Sequence, residues 1–317
     1  MRILLVKTSS LGDVIHNLPV VSDIRRNFPE ATVDWCVEEN FAAIPRLHPE
    51  VEEIIPVAIR RWRKALFRAA TWREIATFQA QLRGNAYDAV IDTQGLLKSA
   101  LIARRARGPL AGYAADSARE PLAARFYDRR FSVTTREHAV ARNRQLAAAA
   151  LGYTVAGEAQ YGIEAPAMSF GWLPAGPYVV FLTATSRDDK LWPEAHWTLL
   201  GQQLQALGHG VVLPAGNPAE RERAARLAAE IPGAVAAPPL SITELASLLA
   251  GARAAVGVDT GLSHLAVALQ TPTVALYVAT DPGLTGVVGS GFHRNLGGKA
   301  QMPTPAAVME ALQAVFA

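Results

Sequence analysis

Eight short apolar, β-branched runs, at residues 3–6, 32–37, 51–57, 89–91, 179–182, 211–213, 254–258 and 273–277, are separated by segments long enough to hold helices. Parallel strands need crossovers of a dozen or more residues, usually helical, whereas hairpins need only a few. The spacing therefore predicts an α/β chain of parallel sheets joined by crossover helices. At 317 residues the chain exceeds what one hydrophobic core usually organises, which predicts two such domains. Between the fourth and fifth runs stand Gly152, Gly157, Gly162, Pro166, Gly171, Pro174, Gly176 and Pro177, a density of chain breakers expected of a connection. We place the boundary near residue 165, with a first domain over 1–160, a linker over 161–177, a second domain over 178–303 and a terminal helix over 304–317. That helix opens on Thr304 and Pro305 and carries Val308, Leu312 and Val315 on one face. It either seals its own domain or crosses to the first.

Two of the runs stop at a small polar turn that opens directly into a helix. The first enters Thr8-Ser9-Ser10-Leu11-Gly12-Asp13, the seventh Asp259-Thr260-Gly261-Leu262-Ser263-His264. Free N–H groups at a helix start attract anions, and the carboxyl ends of parallel strands are where such folds collect ligands. One such turn in each half suggests a two-lobed enzyme with a cleft between the lobes. Gly12 would let the backbone approach a ligand closely. Asp13 is either a helix cap or a general base facing the cleft. In the second turn Asp259, Thr260 and the N–H of Gly261 could hold a diphosphate; His264 is either a phosphate or ribose contact or a buried structural histidine.

A third segment, Thr183-Ala184-Thr185-Ser186-Arg187-Asp188-Asp189-Lys190-Leu191-Trp192-Pro193, again follows a strand. Its charge run reads either as a solvated loop or as a place where Lys190 compensates a leaving diphosphate, with Thr185 and Ser186 as added donors. The fourth is Arg60-Arg61-Trp62-Arg63-Lys64, four cations around an indole. A net charge of only +3 and no recognisable nucleic-acid motif argue against nucleic acid, and favour an anionic substrate or acidic lipid surface.

No GxGxxG or Walker pattern occurs, so nicotinamide cofactors and P-loop chemistry lose ground. The one cysteine, Cys36, lies in an apolar run and reads as core. No His, Asp or Glu spacing resembles a metal site, so we expect a metal-independent mechanism without a cofactor. The apolar run after Arg2 is too short for a signal peptide and none reaches about eighteen residues, so we expect a cytoplasmic chain that does not span a bilayer.

Four ordered segments together carry a family resemblance: Val6-Lys7-Thr8-Ser9-Ser10-Leu11-Gly12-Asp13-Val14-Ile15-His16, the 56–64 segment ending in the basic cluster, Arg187-Asp188-Asp189-Lys190-Leu191-Trp192-Pro193, and Val258-Asp259-Thr260-Gly261-Leu262-Ser263-His264-Leu265. In these the chain resembles the lipopolysaccharide heptosyltransferases of glycosyltransferase family 9, collinearly from the first strand to about Gly286. The resemblance implies the GT-B fold, two facing Rossmann-like domains with an interdomain cleft. It also implies inverting transfer of L-glycero-D-manno-heptose from ADP-heptose to Kdo of Kdo2-lipid A, by a peripheral enzyme on the cytoplasmic face of the inner membrane. Carried over by motif, Asp13 would be the base and Lys190 would stabilise departing ADP. Thr185, Ser186, Lys190, Asp259, Thr260, Gly261 and His264 would bind the donor, with Glu220 and Leu240 on the nucleoside. Ser10, Gly12, Arg60, Arg61, Arg63, Lys64 and Arg119 would face the acceptor. The pattern departs at Val278-Ala279, where the family has Gly-Pro. Other readings are a member adding a later heptose, a GT-B-fold sugar-nucleotide epimerase, and a non-catalytic sugar-nucleotide or glycolipid binding protein.

Overall fold

The computed structural model describes residues 1–316. It divides into two compact units, Met1–Ile163 and Glu164–Ala317. The first holds β1 (Arg2–Val6), β2 (Thr32–Glu38), β3 (Val51–Val57), β4 (Ala89–Asp92), β5 (Leu110–Tyr113) and β6 (Arg129–Phe131). The second holds β7 (Tyr178–Leu182), β8 (Gly210–Leu213), β9 (Val235–Ala236), β10 (Ala254–Val258), β11 (Thr273–Tyr277) and β12 (His293–Gly297).

Each unit forms one six-stranded parallel sheet, in the orders β3-β2-β1-β4-β5-β6 and β12-β11-β10-β7-β8-β9. Read from its own first strand, the second order repeats the first. Both are the doubly wound order whose direction reverses beside the first strand. The reversal lies between β1 and β4 in one unit and between β7 and β10 in the other, and the central strands β1, β4, β7 and β10 are buried almost throughout. The turns after β1 and β10 therefore emerge at these reversals, where the crossovers part to opposite faces and leave a crevice.

Cys36 is buried in the core of the first unit with Leu4, Val6, Ile55 and Val90, and burial pushes its thiol upward, away from reactivity. The core of the second unit is built on Phe181, Trp192 and Trp197, with ring centroids 4.8 and 4.9 Å apart. The terminal helix Pro305–Phe316 sends Val308 and Leu312, both fully buried, into this same cluster. The Trp192 indole donates to the Pro303 carbonyl just before it at 2.9 Å. The helix thus packs on its own unit, the first of the two alternatives left open by the sequence. The Gly- and Pro-rich stretch is divided as well. Tyr161 and Ile163 are buried in the first unit, while the Pro166 carbonyl accepts from Ser247 in the second at 2.6 Å. No helix among the described residues is long and apolar enough to cross a membrane.

Candidate active site

In the first unit β1 ends at Val6, and the next residue, Lys7, is buried although charged. Its Nζ donates to the Thr93 carbonyl at 2.7 Å and to Asn143 Oδ1 at 3.3 Å. Asn143 also accepts from the Tyr113 hydroxyl and donates to the His16 carbonyl, both at 3.2 Å. The Gln94 side chain clamps the turn that follows: its Oε1 accepts from Thr8 N at 2.8 Å and Ser9 N at 3.1 Å, and its Nε2 donates to the Ser9 carbonyl. Gln94 is itself aimed by buried Asp92, which accepts its backbone N–H at 2.8 Å and the Tyr127 and Ser99 hydroxyls at 2.8 Å.

Asp13 stands at the third position of the helix Leu11–Ile15. Its Oδ2 accepts from Ser10 N at 2.8 Å, Ser10 Oγ at 3.2 Å and Arg119 Nη1 at 3.4 Å. All three donors converge on one oxygen. The side chain keeps 21% of its surface exposed. Burial alone would raise the Asp13 carboxyl. The Lys7 ammonium, the Ser10 donors and Arg119 outweigh it and hold the group below the usual carboxylate range. Burial lowers Lys7 in turn to about 8, against the pull of Asp13 and Asp92. Asp13 thus both caps its helix and presents an ionised oxygen, so the two readings of the sequence are compatible.

In the second unit the helix Gly261–Ala268 follows β10 directly, with Thr260 as its N-cap. Its close approach needs a glycine in the strand: a Cβ on Gly257 would lie 2.3 Å from Ser263 Oγ and 3.0 Å from Leu182 Cβ. Ser263 Oγ donates to the Val258 carbonyl at 2.8 Å and fixes the turn. Asp259 Oδ2 accepts from Lys190 Nζ at 2.6 Å and Thr280 Oγ1 at 2.7 Å, and the Asp259 carbonyl accepts from Thr185 Oγ1 at 3.0 Å. Lys190 and Asp259 are only 16% and 13% exposed, so this pair is shielded. Arg187 and Asp189 pair with each other on the surface, as a solvated loop would. The charge run is therefore split, with Lys190 alone turned inward. Ser186 is exposed beside it, and His264 is buried one turn into the helix.

The remaining residues are placed less uniformly. Glu220 and half-buried Leu240 follow β8 and β9, at the same carboxyl edge as Thr185 and Asp259. Both Glu220 oxygens are engaged in capping the helix Pro218–Glu230, through Gly216 N at 2.8 Å and Asn217 Nδ2 at 2.6 Å. The basic cluster follows β3. Arg61 is held by Glu39 at 3.0 Å and Glu74 at 2.6 Å, and is thereby a scaffold for its neighbours. The Arg60 guanidinium lies over the Phe41 ring at 5.2 Å, whereas exposed Arg63 and Lys64 have no ion-pair partner among the described residues. The turn at Val278-Ala279 delivers Thr280 to Asp259, and Asp281 caps the next helix through Gly283 N at 2.8 Å.

The sequence reading missed Lys7, Gln94, Lys98 and Thr280. Lys98 Nζ donates to Ser9 Oγ at 3.0 Å, beside the Asp13 turn. A cation closing a wholly apolar strand was the available sign for Lys7; the others are joined to the turns only by long-range contacts.

The model of glycosyltransferase family 9 (heptosyltransferase) matches residues 75–309. Lipopolysaccharide heptosyltransferase 1 of Pseudomonas aeruginosa is 51% identical over 291 residues, covering 91% of this chain and 82% of the relative. The solved structure of E. coli heptosyltransferase WaaC with ADP is 44% identical with a TM-score of 0.91, covering 99% of this chain and 100% of that one. The same E. coli protein with ADP-2-deoxy-2-fluoro heptose is similar at 43% identity and a TM-score of 0.88, with 99% of each chain covered. The two doubly wound sheets, the turns at their reversal points and these likenesses agree: the chain belongs to glycosyltransferase family 9, the heptosyltransferases, and is a glycosyltransferase.

Proposed function

We propose that the enzyme transfers L-glycero-D-manno-heptose from ADP-heptose to Kdo of Kdo2-lipid A, with inversion at the anomeric carbon, in assembly of the lipopolysaccharide inner core. The donor is supported by relatives solved with ADP and with an ADP-heptose analogue, and a lipopolysaccharide acceptor by the name of the P. aeruginosa relative; Kdo as the accepting sugar is what the family resemblance implies. One arrangement in this chain supports the chemistry: the Asp13 carboxyl, held below the usual carboxylate range, accepts from three donors through Oδ2 and remains partly exposed.

In this reading Asp13 Oδ1 accepts the proton of the Kdo hydroxyl as that oxygen attacks the anomeric carbon. The bond from that carbon to the diphosphate oxygen breaks on the opposite face, and ADP leaves with the electron pair. Holding the base, the attacking hydroxyl and the anomeric carbon in line is the positional part of the rate enhancement. Lys190 has three N–H donors and gives one to Asp259, leaving two for the leaving diphosphate. The backbone N–H groups of Thr260 and Gly261 and the dipole of the helix they open add to that compensation. Asp259, anchored through Oδ2, offers Oδ1 to heptose hydroxyls, and Thr185, Ser186 and His264 complete the donor site. Leu240 and the Glu220 cap border the nucleoside. Ser10, Gly12 and Arg119 receive the acceptor sugar; Arg60, Arg63 and Lys64 meet its carboxylates and phosphates, with Arg61 holding their helix in place. The enzyme works peripherally at the cytoplasmic face of the inner membrane, where such an acceptor is presented.

ADP release from ADP-heptose, measured with and without Kdo2-lipid A, tests the reading. Release that depends on Kdo2-lipid A supports it. Consumption of ADP-heptose alone would indicate an epimerase, and release only with an already heptosylated core would indicate a later transfer.

A further inference from the structure

The turn between the helices Ile59–Trp62 and Ala69–Gly84, with the first turn of the second helix, exposes apolar side chains that the transfer chemistry does not use. Phe67 is fully exposed, Trp72 58% and Leu66 45%. The turn is internally braced: Thr71 Oγ1 donates to the Ala65 carbonyl and Trp72 Nε1 to the Leu66 carbonyl, each at 2.8 Å. Arg68 N closes on the Ala65 carbonyl at 3.1 Å. The indole N–H and the two carbonyls at the tip thus have partners within the protein. Polar groups satisfied in this way leave water at low cost, a condition for any backbone that enters the apolar edge of a bilayer.

The surrounding charge is one-sided. Residues 60–73 contain six cations and no acid. Arg68 and Arg73 are exposed and have no ion-pair partner among the described residues, and the acid nearest in sequence, Glu74, is already taken by Arg61 and the Trp62 indole. An apolar tip flanked by unpaired cations complements an anionic lipid surface, with Phe, Trp and Leu in the interface and the cations among headgroups.

We infer that Leu66, Phe67 and Trp72 form a wedge that enters an anionic phospholipid bilayer, with Arg68 and Arg73 seated on its headgroups. The inference rests on the proposed lipid-borne acceptor and deepens it, because it separates attachment to the bilayer from recognition of the acceptor sugar. The bilayer, not the active site, then sets how often the enzyme meets its acceptor.

The test is co-sedimentation of the full chain with vesicles of phosphatidylethanolamine and phosphatidylglycerol, against vesicles of phosphatidylcholine alone. The first set should bind and the second should bind far less. Leu66→Ser with Phe67→Ser should weaken binding to the anionic vesicles by about tenfold at any salt concentration, as loss of two buried apolar groups requires. Arg68→Gln with Arg73→Gln should weaken it by about tenfold at low salt and little at high salt. The Leu66/Phe67 variant should keep its kcat/KM for a water-soluble, acyl-free Kdo acceptor and lose it for Kdo2-lipid A in vesicles. Unchanged vesicle binding by that variant would overturn the inference. So would an equal loss on the soluble acceptor, which would place the wedge in the sugar site, or a changed oligomeric state, which would mean that a second copy covers it. Vesicle binding that follows the substitutions while the wild type transfers heptose to neither acceptor would overturn the proposed function and leave the wedge standing.

Discussion

Asp13→Asn replaces a carboxylate with an amide of the same shape, so its structural and chemical effects separate. The amide oxygen can still accept from Ser10 N, now 2.8 Å from Oδ2, and the helix entry survives. The lost ion pair with Arg119 is 3.4 Å long and involves a guanidinium 62% exposed, so solvent screening limits it to less than about 1 kcal/mol. Lys7 loses its leading countercharge and, already lowered to about 8 by burial, moves further toward neutrality, which limits the cost of leaving it unpaired. Little stability should therefore be lost. The chemistry is different, because an amide cannot take up the acceptor proton. A positioned base contributes about a hundredfold to ten-thousandfold, or roughly 3–5 kcal/mol of barrier. Steady-state ADP release at saturating ADP-heptose and Kdo2-lipid A should fall at least about a hundredfold. ADP affinity, which the proposed donor site assigns to residues of the other unit, and the urea midpoint should stay near wild type. Turnover near that of the wild type would remove Asp13 from the role of base. A loss of turnover accompanied by lost ADP binding or a much lower midpoint would return it to the helix cap alone.

Lys190→Ala leaves Asp259 Oδ2 with only the Thr280 hydroxyl and, in the proposed mechanism, removes the cation that compensates the leaving group. kcat/KM for ADP-heptose should fall by about a hundredfold or more, and unchanged kinetics would return that lysine to the surface loop. Lys7→Met should flatten part of the pH dependence of stability. In the wild type the buried ammonium titrates at about 8, against 10.5 in the unfolded chain. The unfolded state therefore binds more protons between these values, and folded stability rises with pH across that window by up to about 3 kcal/mol. The methionine variant should lack that rise in urea midpoints taken from pH 7.5 to about pH 10, and equal slopes in the two proteins would contradict the burial argument. Gly257→Ala forces a Cβ to 2.3 Å from Ser263 Oγ and 3.0 Å from Leu182 Cβ, so the helix start must shift. A cost of about 1–3 kcal/mol is expected in denaturant unfolding, and an unshifted midpoint would refute the close packing.

Legibility followed the range of the interaction. The central strands were readable because burial on both faces demands a continuous apolar run, as in Ile3-Leu4-Leu5-Val6 and Tyr178-Val179-Val180-Phe181-Leu182. The edge strand β12, His293–Gly297, carries no such run; its residues are largely exposed and it forms by main-chain pairing with β11. β5 and β6 escaped notice similarly, one built on Leu-Ala-Gly-Tyr and the other polar. The turns at Asp13 and Asp259 were legible because a small polar motif followed each strand at once. The engagement of Glu220 in its own helix cap could have been anticipated from Asn217-Pro218-Ala219-Glu220, a capping-box spacing.

From residue order alone came the parallel α/β plan, the two carboxylate turns and the family resemblance, all properties of neighbouring residues and their periodicity. Only the tertiary structure decided which charges are spoken for. It set Lys7 against Asp13, gave Arg61 to Glu39 and Glu74, turned Lys190 to Asp259, and folded the terminal helix onto its own unit. The physical reason is that strand order is not sequence order. Placing β4 beside β1 and β10 beside β7 joins residues roughly seventy to ninety positions apart, and the strength of a charge depends on the partner and the burial found there.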